Sequence, residues 1–353
     1  MIRSLDFYSG KNVFITGHTG FKGSWLSRIL LNAGANVTGY ALEPPTDPSL
    51  FDLLSISNDI KSVIGDIRNE SLLAAALTEA NPEIIINMAA QPIVRESYND
   101  PVYTYEVNVM GTVNLLNAAR SAGNLRSLIN VTTDKVYENK EWDRGYNEDD
   151  ILCGFDPYSN SKSCSELVTS SFKNSFFSHE GAPAISTARS GNVIGGGDFA
   201  KDRIIPDCVR AAKAGNPIAI RNPHSTRPYQ HVLECLSGYL LLAQLQYEDH
   251  GFAGSYNFGP NDESCVNTGT LVNIFCDAWG DGASYEIKPD GGPHEANFLK
   301  LDIGKAISVL NWSPTWTIET AVSKSVEWYK TNHKDEMLAV ADSQIREFFR
   351  GVE

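Results

Sequence analysis

The chain has 353 residues, 42% hydrophobic and 20% charged, with a formal net charge of −14. So acidic a protein is excluded from sequence-independent nucleic-acid binding and from adhesion to anionic membranes, since both need basic fields. No run reaches the roughly 18 apolar residues of a membrane span. The opening MIRSLDFYSGKNVF lacks a signal peptide's apolar core, so a cytoplasmic location is expected.

In chain order, NVFITG (12–17) is a short β-branched run ending in glycine. HTGFKGSWLSRILLNAG follows it, with helical spacing at Trp25, Leu26, Ile29 and Leu30 and a stop at Gly34. A second strand is expected at NVTGYAL (36–42). SVIGDI, EIIINMAA and SLINVTT read as further strands, with helices at ESLLAAALTEA and YTYEVNVMGTVNLLNAARSAG between them. Strands that are apolar throughout and alternate with helices predict a Rossmann-type, doubly wound parallel sheet covered on both faces. Beyond ISTARSGNVIGGGDF the alternation loosens, and a last helical region begins at IETAVSKSVEWYKTN. The expected division is a dinucleotide-binding domain of residues 1–190 plus about 228–258. A smaller mixed α/β substrate domain, of about 191–227 and 259–353, would close the cleft.

Glycines at 17, 20 and 23 lie between the first strand and the first helix, the context that gives a glycine-rich loop its meaning. Gly17 would allow the sharp turn, Gly20 the approach of a pyrophosphate and Gly23 close packing of helix on strand. The free amides at the helix start would hold the phosphates. Glu43, after the second strand with no arginine nearby, favours NAD over NADP. Lys22 could meet a 2′-phosphate, but reads more readily as a solvated loop charge. Asp66 and Ile67, in GDIR, are placed to reach the adenine end. Ala89, Ala90 and Gln91, ending a buried strand, would line the nicotinamide and sugar site. The six cysteines never form CxxC and the seven histidines form no HxxxH pair, so no metal is expected.

YSNSK puts Tyr158 and Lys162 on one face of a helix. A phenol with an ordinary pKa of about 10 becomes a base near neutrality only if a cation stabilises its anion. The alternative is an ordinary aromatic and lysine pair on a solvated helix.

Together, GxxGxxG, GDIR, NMAAQ, VTTDKVY, YxxxK and ARSGNVIGGGD resemble the extended short-chain dehydrogenase/reductase family, in its nucleotide-sugar epimerase and dehydratase branch, over nearly the whole chain. ITGHTGFKGSWL, TTDKVY, RPYQHVLE with GY soon after, and HEANFLKLD are similar to the members that dehydrate CDP-glucose.

The resemblance implies CDP-glucose as substrate and NAD as a bound, recycled cofactor. It implies a 4-dehydro-6-deoxy product in deoxysugar and lipopolysaccharide O-antigen biosynthesis. Thr133, Tyr158 and Lys162 match the family's catalytic set, with Tyr158 taking the proton of the 4-hydroxyl, Thr133 bonding that oxygen and Lys162 holding the nicotinamide ribose. Asp134 is expected as acid toward the 6-hydroxyl and Lys135 as base at carbon 5. Lys135 must be partly neutral to serve, and an ionised Asp134 beside it acts against that. Thr19, Phe21, Lys22 and Asn108 join the cofactor contacts. Arg227 is expected on the diphosphate, with Asn192 and Arg203 in support and Glu295 at the nucleoside; His231 is expected to be structural. Relatives pair through two long helices, here 103–122 and 158–178, so a homodimer or homotetramer is expected. Two other readings stay open: a nucleotide-sugar 4-epimerase, and a non-catalytic dinucleotide sensor of the same fold.

Overall fold

In the computed structural model, which describes residues 5–289 and 298–350, the apolar runs become seven parallel strands: β1 (Asn12–Thr16), β2 (Asn36–Ala41), β3 (Lys61–Ile64), β4 (Ile84–Asn87), β5 (Ser127–Val131), β6 (Ala184–Ser190) and β7 (Ser255–Phe258). Their order across the sheet is β7-β6-β5-β4-β1-β2-β3. The chain runs outward from β1 to β3, returns to β4 on the other side of β1, and runs outward again to β7. β1 and β4 are thus neighbours whose connections leave in opposite directions. The crevice beyond their carboxyl ends is where such a sheet receives a ligand.

Successive side chains of a strand face opposite sides, and both sides are buried here. Phe14, Ile85, Leu128 and Ile185 pack with Leu73, Leu77, Leu115 and Leu116. Val13, Ile15, Ile84, Ile86 and Ile129 pack with Trp25, Leu26, Ile29, Leu30, Leu236 and Leu240 on the other. The first helix, Phe21–Asn32, ends where expected, with Gly34 at φ +77°.

The helix expected over YTYEVNVMGTVNLLNAARSAG differs from a plain α-helix. It starts earlier, at Pro101, where the Asp100 side chain accepts the Tyr103 N–H at 2.9 Å. It then passes through a π turn at Glu106–Met110 and ends at Ala119. π turns add a residue to the helical turn and often lie at functional positions. This one contains Asn108, whose side chain is buried in the site.

The rest of the chain is mixed. Short strand pairs join Val193–Ile194 to Gln230–His231, Thr226–Arg227 to Val266–Asn267, and Ile218–Ile220 to Tyr285–Ile287. Helices run over Ile204–Lys213, Thr268–Trp279, Gly304–Leu310, Ile318–Tyr329 and Lys334–Arg350. Among the described residues no helix is long and apolar enough to cross a membrane.

The helix Val232–Glu248 is buried along most of its length and joins the sheet to these later segments. Near its start the Glu234 carboxylate accepts the backbone N–H of Thr315 at 3.1 Å and of Trp316 at 2.6 Å, fixing the entry to Ile318–Tyr329. Burial outweighs those bonds and pushes the carboxyl up to about 7. A group with a raised folded-state pKa contributes stability that is full below its unfolded value and fades as pH rises through the folded one. Glu234 should therefore make the fold lose stability between about pH 5 and 7. Glu234→Gln is expected to flatten that part of the stability profile, followed by denaturant unfolding at several pH values. An unchanged slope would show that Glu234 titrates normally.

Candidate active site

At the β1 turn the glycines have distinct tasks. A Cβ on Gly17, at φ +76°, would lie 2.9 Å from the Ala89 backbone nitrogen, and one on Gly23 would lie 2.1 Å from the Gly17 carbonyl oxygen. Loop, helix and β4 therefore touch backbone to backbone. Gly20 is different: a Cβ there would meet only the Gly17 oxygen, at 3.4 Å. Its outer side is open, and as the helix cap it has no side chain to occupy the first amides. That cradle fits a dinucleotide's pyrophosphate.

Thr19 ties the loop to β2 by donating to the Leu42 carbonyl at 2.9 Å. Phe21 opens the helix, packed against the core. His18, which the sequence reading passed over, is fully buried. Its ring fills the space left by Gly39, and Nε2 lies 2.7 Å from Ser62 Oγ. Burial lowers it to about 4, so it is a neutral wedge.

Lys22 corrects an expectation. It is no solvated loop charge: Nζ turns inward and donates to Ser190 Oγ at 2.9 Å and Tyr239 OH at 3.1 Å. A side chain in the first helical turn points back toward the helix start, which carries Lys22 across the sheet end to β6. Burial holds its pKa below the usual lysine value.

Glu43 is exposed just past β2. Asp66 is held by Arg68 through both side-chain and backbone N–H groups, which keeps its carboxyl below the ordinary range. Ile67 is buried against Gly111. Ala89 and Ala90 are half-buried beside the loop. Gln91 turns inward, donating to Thr104 Oγ1 at 2.9 Å and accepting the Ile93 N–H at 2.6 Å. Asn108 accepts the Gln91 N–H at 2.9 Å and donates to Ser161 Oγ at 2.9 Å, so the π turn clamps the end of β4 to the helix carrying Tyr158.

That helix, Pro157–Phe176, is capped by Asp156, which accepts the Ser159 N–H at 2.9 Å, and it begins with proline at its first position. Tyr158 is 9% exposed and Lys162 6%. Lys162 donates to the Val131 carbonyl, at the end of β5, at 3.1 Å. Burial, then the positive charge of Lys22, lowers its pKa to about 8, while Glu166 acts in the opposite sense. Thr133 acts to lower the Tyr158 phenol, yet burial pushes it up to about 12. In the chain by itself the phenol is therefore not acidified. The cation acting on it is Arg203, and desolvation exceeds both that and the contribution of Thr133.

Thr133 caps a 3-10 turn, Asp134–Val136, that follows β5. Its hydroxyl donates to Asp134 Oδ1 at 2.8 Å. Lys135 Nζ donates to the same oxygen at 2.9 Å and to Asn192 Oδ1 at 3.4 Å. Asp134 is 0% exposed, and its other oxygen, Oδ2, has no hydrogen-bond partner among the described residues. A buried carboxylate oxygen left unpaired is costly. Oδ2 is a prepared acceptor for a polar group from outside the chain.

Behind this set, Glu166 makes a buried two-armed ion pair with Arg189, at 2.8 and 2.9 Å, and accepts the hydroxyls of Thr132 at 2.5 Å and Thr187 at 2.6 Å. It lies one helical turn past Lys162, and that spacing is the sequence signal that points to it.

On the substrate side Asn192 reaches Lys135. Arg203 pairs with Asp198 at 3.0 Å and is near enough to act on the charges of both Tyr158 and Lys22. Arg227 is buried on its short strand, with Nη1 donating to the Thr226 carbonyl at 3.0 Å. Glu295 lies outside the described residues. His231 caps the Val232–Glu248 helix through Nδ1 and is wedged between Trp25 and Trp316, with burial lowering its pKa to about 3.

A parallel sheet with an open glycine loop at its switch point, and Thr133, Tyr158 and Lys162 around the next strand end, defines an extended short-chain dehydrogenase/reductase. The family model described as GDP-mannose 4,6 dehydratase matches residues 14–325. The CDP-glucose 4,6-dehydratase of Salmonella typhimurium is 47% identical over 349 residues, covering 97% of each chain. The fold is also that of a dTDP-glucose 4,6-dehydratase from Bacillus anthracis, at TM-score 0.77 and 22% identity over 93% of this chain and 99% of that one. It is shared by a UDP-glucose-4-epimerase from Stenotrophomonas maltophila, at TM-score 0.79 and 21% identity over 91% and 98%. The chain belongs to the nucleotide-sugar epimerase and dehydratase family of NAD-dependent enzymes.

Proposed function

We propose that the protein converts CDP-glucose to CDP-4-dehydro-6-deoxyglucose and water, with NAD retained through the cycle. The observation that carries this reading is the Asp134–Lys135 pair beside Tyr158, with Oδ2 of Asp134 unpartnered. A 4-epimerase needs no acid for a 6-hydroxyl, and a non-catalytic sensor needs neither pair. The 47% identity with a dehydratase named for CDP-glucose supports that nucleotide.

The glycine loop, Asp66 and Lys162 would hold NAD, which when bound supplies positive charge and a hydride acceptor for carbon 4 that returns the hydride to carbon 6. Tyr158 takes the proton of the 4-hydroxyl. The ketone so formed acidifies carbon 5, where Lys135 removes a proton while Asp134 protonates the departing 6-hydroxyl. As drawn, the pair is an ammonium and a carboxylate, the wrong charge state for both tasks. Passing one proton along their 2.9 Å bond gives an amine and a carboxylic acid with no change in total charge. Arg227 and Arg203 would meet the diphosphate, with Asn192 against the sugar.

Pairing as a homodimer through the two long helices is part of the same proposal. Val102, Met110 and Leu167 are 67%, 51% and 57% exposed there, unusual for large apolar side chains.

The function is tested by incubating the purified protein, without added NAD, with CDP-, UDP- and dTDP-glucose and reading the alkaline absorbance of a 4-keto sugar. CDP-glucose is expected to react at least about 10-fold faster than the others, the discrimination available to a site hydrogen-bonding the base. Release of a 4-epimer with no keto product would overturn the reading.

A further inference from the structure

The turn that carries Asp134 and Lys135 has little with which to hold its own shape. It is a 3-10 turn of three residues, Asp134–Val136, capped by Thr133 and followed by Tyr137. Such turns are short and their backbone bonds have poorer geometry than those of an α-helix. Asp134 and Lys135 must nevertheless meet the same sugar that Tyr158 meets from the helix Pro157–Phe176. Groups outside the turn have to fix it against that helix.

We propose that the buried ion pair of Glu166 and Arg189 is a clamp that holds this turn at both ends, so that the pair, with Thr132 and Tyr137, positions the acid and base. Before the turn, the Thr132 hydroxyl donates to Glu166 Oε1 at 2.5 Å. After it, the Tyr137 hydroxyl accepts from Arg189 Nη1 at 2.8 Å. Arg189 Nε donates to Glu166 Oε1 at 2.8 Å and Nη2 to Oε2 at 2.9 Å, so one two-armed bridge joins the two ends. Tyr158, Lys162 and Glu166 follow one another at four-residue steps and share a helix face. Lys162 grips the Val131 carbonyl, just before Thr132, at 3.1 Å, and Ser163 donates to the Val136 carbonyl at 2.7 Å. The helix that carries Tyr158 thereby also sets the turn opposite it.

Stability alone does not account for the pair. Glu166 and Arg189 are 3% and 2% exposed. Apolar side chains of the same volume often serve a fold as well as a buried ion pair or better, because they have no charge to desolvate. What they lack is direction. Each Glu166 oxygen accepts one hydroxyl besides the guanidinium, that of Thr132 on Oε1 and that of Thr187, on β6, on Oε2 at 2.6 Å. Arg189 Nη1 is aimed at Tyr137, whose hydroxyl donates in its turn to Asn257 Oδ1 at 2.7 Å.

The clamp rests on the proposed dehydratase chemistry, so its test reads wild-type and variant enzymes separately. Thr132→Val cuts the tie before the turn and Tyr137→Phe the tie after it, and both leave Glu166 paired with Arg189. Thr132→Ser keeps the hydroxyl. Holoenzymes are compared for kcat and KM with CDP-glucose and for melting temperature. Thr132→Val and Tyr137→Phe are each expected to lower kcat at least about 10-fold, the scale of loss for a misplaced catalytic group, with KM changed less than about threefold. Thr132→Ser is expected to stay within about twofold of wild type in both. A pair that only held the fold together would lower the melting temperature and leave kcat of the folded enzyme unaltered, which would overturn the clamp. A rise in KM alone would overturn it too, as would equal losses in Thr132→Ser and Thr132→Val. Should one of the two cutting variants fail to fold, the other decides. No keto product from wild-type enzyme would overturn the functional reading and the clamp with it, whereas full turnover in wild type and both variants overturns the clamp alone.

Discussion

Tyr158→Phe is expected to lower kcat for CDP-glucose by about 10²- to 10⁴-fold, the range for losing a general base, with NAD still bound. The substitution removes one oxygen and leaves the helix cap at Asp156 in place. Lys162 keeps its bond to the Val131 carbonyl, so the floor of the cofactor site should be unaltered. The pH profile should show how the base is made. Lys162 gives up its proton near 8 and the phenol near 12, both because burial disfavours charge. As pH rises, therefore, the pair first loses the lysine's charge rather than forming a phenolate beside an ammonium. Positive charge arriving with the cofactor must reverse that order, since the two sites titrate as a coupled pair. With the order reversed, wild-type kcat/KM, which reports the state before the sugar binds, should rise with pH as the Tyr158 phenol ionises and lose that limb in Tyr158→Phe. Bound NAD is checked by the cofactor released on denaturation. A variant with near-normal turnover would show that Tyr158 is not the base.

The parallel sheet, the glycine loop between its first strand and first helix, and the helix face shared by Tyr158 and Lys162 were legible because each rests on a local rule. Uninterrupted apolar strands require two covered faces, and residues four apart on a helix must be neighbours. The fates of individual charges were not legible. Lys22 reads as solvated from its loop, yet it lies against Ser190 and Tyr239, which are 168 and 217 residues away in sequence. Glu166 and Arg189 form their ion pair because β6 returns beside the helix, a contact that no spacing encodes. The phenol's high pKa is likewise a property of the volume around it, to which burial contributes more than any single neighbour. The π turn also escaped a 3.6-residue reading, although it aims Asn108 at the end of β4.

Asp134→Asn is expected to reduce overall turnover by about 10²- to 10³-fold while slowing the initial oxidation far less, because an amide of the same shape cannot deliver a proton to the leaving hydroxyl. The carboxylate serves two neighbours. Oδ1 accepts the Thr133 hydroxyl and the Lys135 ammonium, and buried Oδ2 faces the site alone. An asparagine oriented with its oxygen in the Oδ1 position keeps both of those bonds and places an N–H₂ group where the sugar hydroxyl is expected. Thr133 should therefore stay in place for oxidation at carbon 4, and Lys135 stays near its target without its countercharge. The cycle then stops between oxidation and elimination. Mixing Asp134→Asn holoenzyme with CDP-glucose should build up the near-ultraviolet absorbance of the reduced cofactor to nearly one equivalent per site, where wild type shows only a transient. If every phase slows equally and no absorbance accumulates, Asp134 positions the sugar instead of protonating it, and the acid has to be sought among the groups around Asn192 and Arg203.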